Sequence, residues 1–452
     1  MILNNPFHTV LVVSLLMLSS TTQSRASDWS LQSTNTLTVT NDDSNTYETG
    51  ARARLAAIGG YSSGSISISA EFGFSFETDS SELNFQIQEA YLTWQPVGGF
   101  SLLAGRRVNS TGLMDFISPA EFLSPIDLVS FASGTTSSLR MAADVFEVTM
   151  YGAAWKLVGT VLPLSPSFSS LNPDSIWFPR NQFPQSLEIL FSTWYLNKII
   201  VNYPEHQILA PFPAFQLHGS YAQNNAELIA GIYLGPDPEP LYRFRLRVAE
   251  VNPCQVYESY NVLIYTEREP LLAGFLSAAW TNESIRIYGE TSFSPSRRYS
   301  ERLDSESLVL ATDVDGYTLW SSAWAVDTGI GIAAFFQPLN LDLIIEARHL
   351  MPDPEINIRK PLFSSITTMY AQRRWLDGKL DTSLLAALTP GLDNKGGFNG
   401  NYGWALSFSV LWRPSMEMEF RIGLPLFGGD EETDLGRYAM IRQGSLTAII
   451  RH

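Results

Sequence analysis

Charged side chains at every second residue are the feature of this sequence with the clearest chemical use. In the segment 242–248, Arg243, Arg245 and Arg247 alternate with apolar residues, so an extended strand would place three guanidinium groups on one face. The same spacing groups seven further charged residues, which are Arg286 with Glu290, Glu346 with Arg348, and Glu417 and Glu419 with Arg421. Opposite charges that face one another across water order that water and favour polar solutes. We therefore predict that these ten residues line a pore, the alternative being that they pair with neighbours and fill a narrow interior.

Two sequence features could support catalysis, and neither favours it. The segment Gly60–Gly64 matches the GxSxG pattern of hydrolases, but that motif works at a strand-to-helix turn and here it joins two predicted strands. His218 and Ser220 share one face of an alternating segment and could imitate the His/Ser pair of a barrel lipase, although an ordinary place in a strand is favoured. The single cysteine, Cys254, and the widely separated histidines provide no metal-ligand spacing. We predict no catalytic residue, no metal and no cofactor.

Strict alternation of apolar and polar residues predicts the strands that position these charges. In 65–77 the even positions are Ile, Ile, Ala, Phe, Phe and Phe, whereas the odd positions are Ser, Gly or Glu. Segments 403–412 and 415–423 repeat the pattern, with a hairpin turn at Arg413 and Pro414. These lengths match the roughly 9 to 11 residues that a tilted strand needs to cross a bilayer. After residue 26 there is no uncharged apolar run of 18 residues, so a helical membrane protein is not expected.

Composition and the first residues indicate export. Of the 452 residues 45% are hydrophobic and 16% are charged, and the formal net charge of −16 argues against a nucleic-acid partner. Residues 9–18 form an apolar run that is too short for a membrane helix, and Ser24 and Ala26 follow at the −3 and −1 positions of a cleavage site. We predict a signal peptide in residues 1–26, without the usual basic start, and one β-barrel domain in residues 27–452.

The predicted strands require a closed sheet, because backbone amides in lipid find no water to bond. Residues 27–452, divided by about 24 residues per strand and connection, give about 18 strands, within a range of about 14 to 20. Turns such as 96–98 and the one at Pro338 are short, whereas 108–138 and 165–185 are long and contain several prolines, as constrictions or lids would. The predicted fold is all-β, a single closed antiparallel transmembrane β-barrel with long loops on one side.

Aromatic residues near the ends of the predicted strands are expected to form girdles at the two membrane interfaces. They are Tyr91, Trp94, Trp280, Tyr288, Trp320, Trp324, Trp375, Tyr402, Trp404 and Trp412.

One stretch of the sequence resembles a motif of porin-like bacterial outer-membrane barrels, in which an EAY strand is followed by GRQ, WG and NPxDxLxPxDL. Here Glu89–Trp94 supplies the EAY strand, Gly105–Arg107 stands for GRQ, and 118–128 follows the last pattern with Glu121 in place of its first Asp. Thr111 replaces the tryptophan, and residues 424–436 resemble the acidic link before the last strand of such barrels. The resemblance implies an outer-membrane barrel whose motif loop contains Arg106, Arg107, Asp115, Glu121 and Asp127. The C-terminal Ile449–His452 departs from the terminal aromatic that barrel assembly usually favours.

These features together predict a non-enzymatic outer-membrane channel for passive diffusion of small hydrophilic solutes. The expected partners are outer-membrane lipid, the barrel-assembly machinery and small polar solutes, and the sequence leaves open whether the chain forms a homo-oligomer. Two alternatives remain at this point, which are a lipase-like outer-membrane enzyme and a surface barrel that binds or assembles a polysaccharide.

Overall fold

The computed structural model describes residues 28–41, 47–63, 66–77, 82–116, 118–124, 140, 142–164, 186–189, 192–202, 212–238, 241–248, 258–300, 320–353, 363–392, 398–430, 433–439 and 442–451. Residues 1–27, and with them the predicted signal peptide, lie outside this part of the chain. The strands in the described residues are β1 (Asp28–Asn41), β2 (Tyr47–Ser63), β3 (Ile66–Glu77), β4 (Glu82–Trp94), β5 (Phe100–Arg107), β6 (Ala143–Tyr151), β7 (Trp155–Leu164), β8 (Ser186–Ile189), β9 (Ser192–Asn202), β10 (Ala214–Gln223), β11 (Ala226–Pro236), β12 (Leu241–Val248), β13 (Glu258–Glu267), β14 (Pro270–Thr281), β15 (Ile285–Ser300), β16 (Trp320–Phe336), β17 (Leu341–Pro352), β18 (Ser365–Trp375), β19 (Leu380–Leu392), β20 (Phe398–Trp412), β21 (Met418–Gly429) and β22 (Arg442–Arg451).

Within the described connections there are three single-turn 3-10 helices, Gln337–Leu339, Leu376–Gly378 and Gly436–Tyr438. No helix in the described residues is long and apolar enough to cross a membrane.

Eighteen of the strands form one antiparallel sheet, which we call the wall sheet. Each strand pairs with the next in chain order, except that β8, β9, β12 and β13 are left out. β1 pairs with β2 on one side and with β22 on the other, where Gln32 lies opposite Arg451 and Asn41 opposite Arg442. Antiparallel neighbours joined by tight turns satisfy one another's backbone groups. The prediction of an all-β antiparallel fold is confirmed.

The two faces of the wall sheet differ sharply in exposure. On β14, Leu271, Ala273 and Phe275 are buried, whereas Leu272 and Trp280 on the opposite face are 50% and 46% exposed. We call the first the inner face and the second the outer face. On β21 the predicted division holds, because Glu419 is buried on the inner face while Ile422 and Leu424 are exposed on the outer face. A sheet with an exposed face of large apolar side chains needs an apolar environment on that side.

Exposed aromatic residues border the apolar outer face at both ends. At the ends joined by short turns they include Trp94, Trp155, Tyr221, Trp280, Trp375 and Trp412, and at the opposite ends they include Trp324 and Tyr402. Tyr402 and Trp412 lie ten residues apart on β20, about 34 Å along the strand. With the usual tilt of about 35–45°, the two rings bracket a band about 25 Å tall, the height typical of membrane barrels. Tyr288 is not part of this girdle, because it shares the inner face with Glu290 and is buried.

Connections between wall strands alternate in length. β4 and β5, β6 and β7, β10 and β11, and β14 and β15 are joined by turns of two to five residues, whereas the connection from β5 to β6 spans 108–142. The connections from β7 to β10 and from β11 to β14 are long enough to contain two strands each. The long loops therefore lie at one end of the wall sheet, as predicted.

These two long connections build a second sheet of four strands, in the order β12, β13, β9 and β8, with β9 and β13 parallel. Arg243, Arg245 and Arg247 lie on β12, which corrects their predicted place in the wall. Alternation with period two marks any half-exposed strand, and it does not distinguish a wall strand from a strand inside a long connection. The side chains of these three arginines lie outside the described part of the structure.

Candidate constriction site

The segment 108–124, which we call the constriction loop, leaves the wall after β5 and lies against the inner face. Its apolar residues join a buried cluster with residues of the wall, and the loop members are Leu113, Met114, Ala120, Phe122 and Leu123. The Phe122 ring stacks on Tyr233 of β11, with the ring centroids 4.9 Å apart and the planes inclined by 16°, and it also contacts Phe275 of β14. Of the two predicted placements for this loop, folding inward is the one observed.

Two buried glutamates of the wall hold the constriction loop in place. Glu290 on β15 accepts hydrogen bonds from the backbone N–H groups of Leu113 and Met114 and from the Ser118 hydroxyl. Glu346 on β17 accepts hydrogen bonds from the backbone N–H groups of Asp115 and Phe116, at 2.7 Å and 3.0 Å. It also accepts one from the Tyr288 hydroxyl at 2.6 Å. Hydrogen bonds to a carboxylate are stronger than those between neutral groups. We call Glu290 and Glu346 the carboxylate clamp.

The two residues of the carboxylate clamp were predicted to line the pore, and the structure gives them a different role. Glu290 and Glu346 are 4% and 2% exposed, because the constriction loop covers them. Their oxygens are occupied by loop donors, so in this arrangement the two side chains position the loop and do not face an open space. Sequence spacing placed both glutamates on the inner face but could not show that a distant loop covers them.

Glycine residues, which have no side chain, allow the constriction loop to approach the wall this closely. A Cβ atom at Gly329 of β16 would overlap Met114 Sδ and lie 3.2 Å from Pro119 Cδ, and one at Gly112 would lie 2.9 Å from Glu290 Oε1. Only glycine leaves the room that these contacts use.

Glu121, a predicted motif residue, organises the loop from within. Its carboxylate forms an ion pair with Arg140 and accepts the Thr111 N–H at 2.9 Å and the Ser124 N–H at 3.3 Å. Arg140 also donates to the carbonyl of Met114 at 3.0 Å. Burial raises the pKa of the Glu121 carboxyl, and the Arg140 guanidinium opposes that rise. This buried pair ties the two ends of the loop together.

Asp115 is the charged residue that the constriction loop leaves exposed. Desolvation by the surrounding groups raises the pKa of its carboxyl, against the opposing charges of Arg286 and Arg140. Arg286, on the inner face of β15, forms an ion pair with Glu227 at 3.6 Å, in which the two side chains are 33% and 40% exposed. Asp115 and Arg286 therefore bring opposite charges to the uncovered edge of the loop.

The remaining motif residues do not lie together in the structure. Arg107 faces inward and donates to Glu147 at 3.3 Å and to Asn109. Arg106 lies on the other face of β5, beside Asp144 at 3.6 Å, so the structure does not place it with the loop. Asp127 lies outside the described residues, as does 165–185, the second predicted constriction.

Ion pairs line the inner face on β16 to β21, beyond the apolar cluster of the constriction loop. Arg348 makes two contacts of 3.0 Å with Asp327, and both residues stand on neighbouring wall strands. Two further ion pairs continue this row of charges along the inner face, Arg374 with Asp342 at 3.1 Å and Arg413 with Asp381 at 2.6 Å. None of these four residues was predicted from the sequence to line the pore. They escaped notice because their partners belong to different strands. On the wall strands whose side chains the structure describes, the inner face is thus covered by the loop on one side and lined by charges on the other.

The predicted column of Glu417, Glu419 and Arg421 is only partly formed. Glu419 contacts Arg421 at 3.5 Å and Arg413 at 3.4 Å. Glu417 lies in the turn before β21 and is exposed, because that strand begins at Met418 and not at 415. The connection between β20 and β21 spans residues 413–417, so Glu417 belongs to the turn and not to the strand.

The residues considered for catalysis do not assemble. The polar contact of His218 is with Gln216 Nε2 at 3.3 Å, not with Ser220, and residues 60–63 of the GxSxG segment belong to β2 and pair with β3. In the part of the chain that the structure describes, no group of three His, Cys, Asp or Glu side chains could hold a metal ion.

Comparisons with known proteins relate this chain to solved structures only. No family model and no curated protein matches the sequence. The crystal structures of OccK9 (OpdG) and OpdO from Pseudomonas aeruginosa both superpose with a TM-score of 0.50, at 10% and 11% sequence identity. The aligned parts cover 94% of this chain and 98% and 97% of those chains. OpdK, described as an outer membrane protein of the same organism, has a TM-score of 0.48 at 8% identity and covers 94% of this chain and 99% of its own. The chain therefore has the fold of OccK9 and OpdO.

Proposed function

We propose that this chain is a closed β-barrel in a bacterial outer membrane and that small hydrophilic solutes diffuse passively through it. The observation that carries the proposal is the division of the inner face. The constriction loop, held by Glu290 and Glu346, fills one side, and paired charges line the other. A water-filled path between the loop and the row of ion pairs would be narrow and polar.

The outer face supports the membrane location. Large apolar side chains cover it between two aromatic borders, and a band about 25 Å tall fits the hydrocarbon thickness that membrane barrels match. Pairing of β1 with β22 leaves each wall strand with two neighbours, as lipid requires of a spanning sheet. The apolar segment before residue 26 is consistent with export, after which the barrel-assembly machinery would insert the chain.

The charges on the uncovered inner face support solute passage. Arg374 is 57% and Asp342 is 30% exposed, so this pair faces water. Exposed ion pairs add little to stability. We therefore assign these ion pairs the role of keeping the solute path hydrated. Mixed charge favours polar solutes of either sign over apolar ones.

Swelling of liposomes that contain the purified chain tests this function. We expect rapid swelling in small uncharged sugars and slower swelling as the sugar grows, because the constriction loop limits the width. Arg374→Gln should change the relative rates for charged solutes, whereas Arg106→Gln, on the outer face, should not. Liposomes that incorporate the chain but do not swell in any solute would contradict the proposal.

A further inference from the structure

We propose that Arg373 and Trp375 form a site on the outer face that binds the phosphate of a phospholipid headgroup. The inference rests on the proposed membrane location but concerns a different surface from the solute path.

The register of β18 places Arg373 outside. Gln372 and Arg374 reach Asp381 at 3.3 Å and Asp342 at 3.1 Å on the inner face. Side chains alternate along a strand, so Arg373 points away from these acids and shares the outer face with Trp375.

The guanidinium of Arg373 lies over the ring of its aromatic neighbour. Its Cζ atom is 3.7 Å from the centroid of the Trp375 ring, a close cation–π contact. The indole is itself fixed, because Trp375 Nε1 donates to Thr382 Oγ1 at 3.0 Å. The site is therefore built from a held ring and a cation stacked on it.

No anion within the described residues balances this cation. Arg373 forms no ion pair with a described carboxylate, and its Nε is buried without a hydrogen-bond partner in the described part of the chain. A charge that faces lipid costs about 2 to 4 kcal/mol at mid-depth and little near the interface. The stem of an arginine can carry its charge outward toward the headgroups, which is the direction of Trp375.

The position of Arg373 and Trp375 in the membrane indicates which phosphate they bind. Trp375 is followed by the short turn 376–379, and in membrane barrels short turns face the periplasm, where the leaflet consists of phospholipid. Asp377 and Lys379 of this turn are both exposed and of opposite charge, so Arg373 supplies the net positive charge of the patch. A planar guanidinium matches the oxygens of a phosphate.

Native mass spectrometry of the full chain in detergent micelles tests the site. The probes are phosphatidylglycerol, a diacylglycerol with the same acyl chains but no phosphate, and inorganic phosphate. We expect the chain to bind phosphatidylglycerol about ten-fold more tightly than diacylglycerol, and Arg373→Gln to remove that difference. Arg374→Gln is the matched control, since it removes the same charge from the next residue on the opposite face, and it should keep the preference.

Two results would overturn the site. One is an unchanged preference for phosphatidylglycerol in Arg373→Gln. The other is full competition by an equal concentration of inorganic phosphate, which would make the ligand a free ion and not a lipid. Flotation with lipid vesicles separates this failure from that of the proposed function, because a chain that floats and lacks the preference contradicts only the site, whereas a chain that does not float contradicts both.

Discussion

Replacing Glu346 with glutamine removes the charge from one half of the carboxylate clamp while keeping its shape. The native carboxylate accepts hydrogen bonds from Asp115 N, Phe116 N and the Tyr288 hydroxyl. An amide offers one acceptor oxygen, and its NH2 group meets the remaining donor. One buried backbone N–H of the constriction loop therefore loses its partner, and the bonds that survive lose the assistance of the charge.

The expected cost follows from these losses. An unpartnered buried N–H costs about 1 to 3 kcal/mol, and loss of charge from the remaining bonds adds about 1 kcal/mol. The total of about 2 to 4 kcal/mol would raise the fraction of molecules with an undocked loop by about 30- to 700-fold, at about 1.4 kcal/mol for each factor of ten.

Limited proteolysis with chymotrypsin measures that fraction. Phe116 and Phe122 are buried while the loop is docked, so cleavage after either residue reports the open population when opening is fast relative to cleavage. We expect Glu346→Gln to be cut in the constriction loop at least ten-fold faster than the parent chain. Glu417→Gln, in an exposed turn, is the control and should be cut at the parent rate. Equal loop cleavage in Glu346→Gln and Glu417→Gln would refute the carboxylate clamp.

Two further predictions concern the constriction. Gly329→Val should overpack the contact with Met114, at a cost of about 1 to 3 kcal/mol, and displace the loop, so that single-channel conductance rises. Gly98→Val, where no atom lies within 4 Å of an added Cβ, should leave conductance unchanged, and an equal response of the two variants would count against the close contact. The raised pKa of Asp115 means that its carboxyl becomes neutral at a higher pH than an ordinary aspartate. The ratio of cation to anion permeability should therefore fall as the pH is lowered, and reversal-potential measurements should show no such fall in Asp115→Asn.

The wall strands could be predicted because the alternation of apolar and polar residues is visible within each strand's own sequence. A strand that faces two environments must alternate, so the apolar Ile422 and Leu424 and the charged Glu419 could be assigned to opposite faces from residue types alone. The same rule contained a signal that was not used. Tyr288 has the parity of Glu290, which already placed its ring inside and not in a girdle.

The constriction could be predicted only in outline. A long loop with prolines suggested that 108–138 folds inward or forms a lid, but the acceptors that fix it lie more than 170 residues away in the sequence. Every residue except proline has a backbone N–H, so the sequence does not show which of these donors a distant carboxylate will bind. The contact between Gly329 and Met114 is likewise invisible until the fold brings β16 beneath the loop.

The placement of β12 was missed for a related reason. Arg243, Arg245 and Arg247 alternate as regularly as any wall residues, and nothing in their own segment shows that β12 pairs with β13 in a separate sheet. Which strands neighbour one another depends on the lengths of connections and on long-range pairing, neither of which period-two alternation encodes.

Single-channel recording in planar lipid bilayers tests the central claim most directly, namely that an aqueous path runs beside the docked constriction loop. We expect discrete current steps from the purified chain, with a conductance that grows when Gly329→Val displaces the loop. Insertion without current, in the parent chain and in that variant alike, would contradict it.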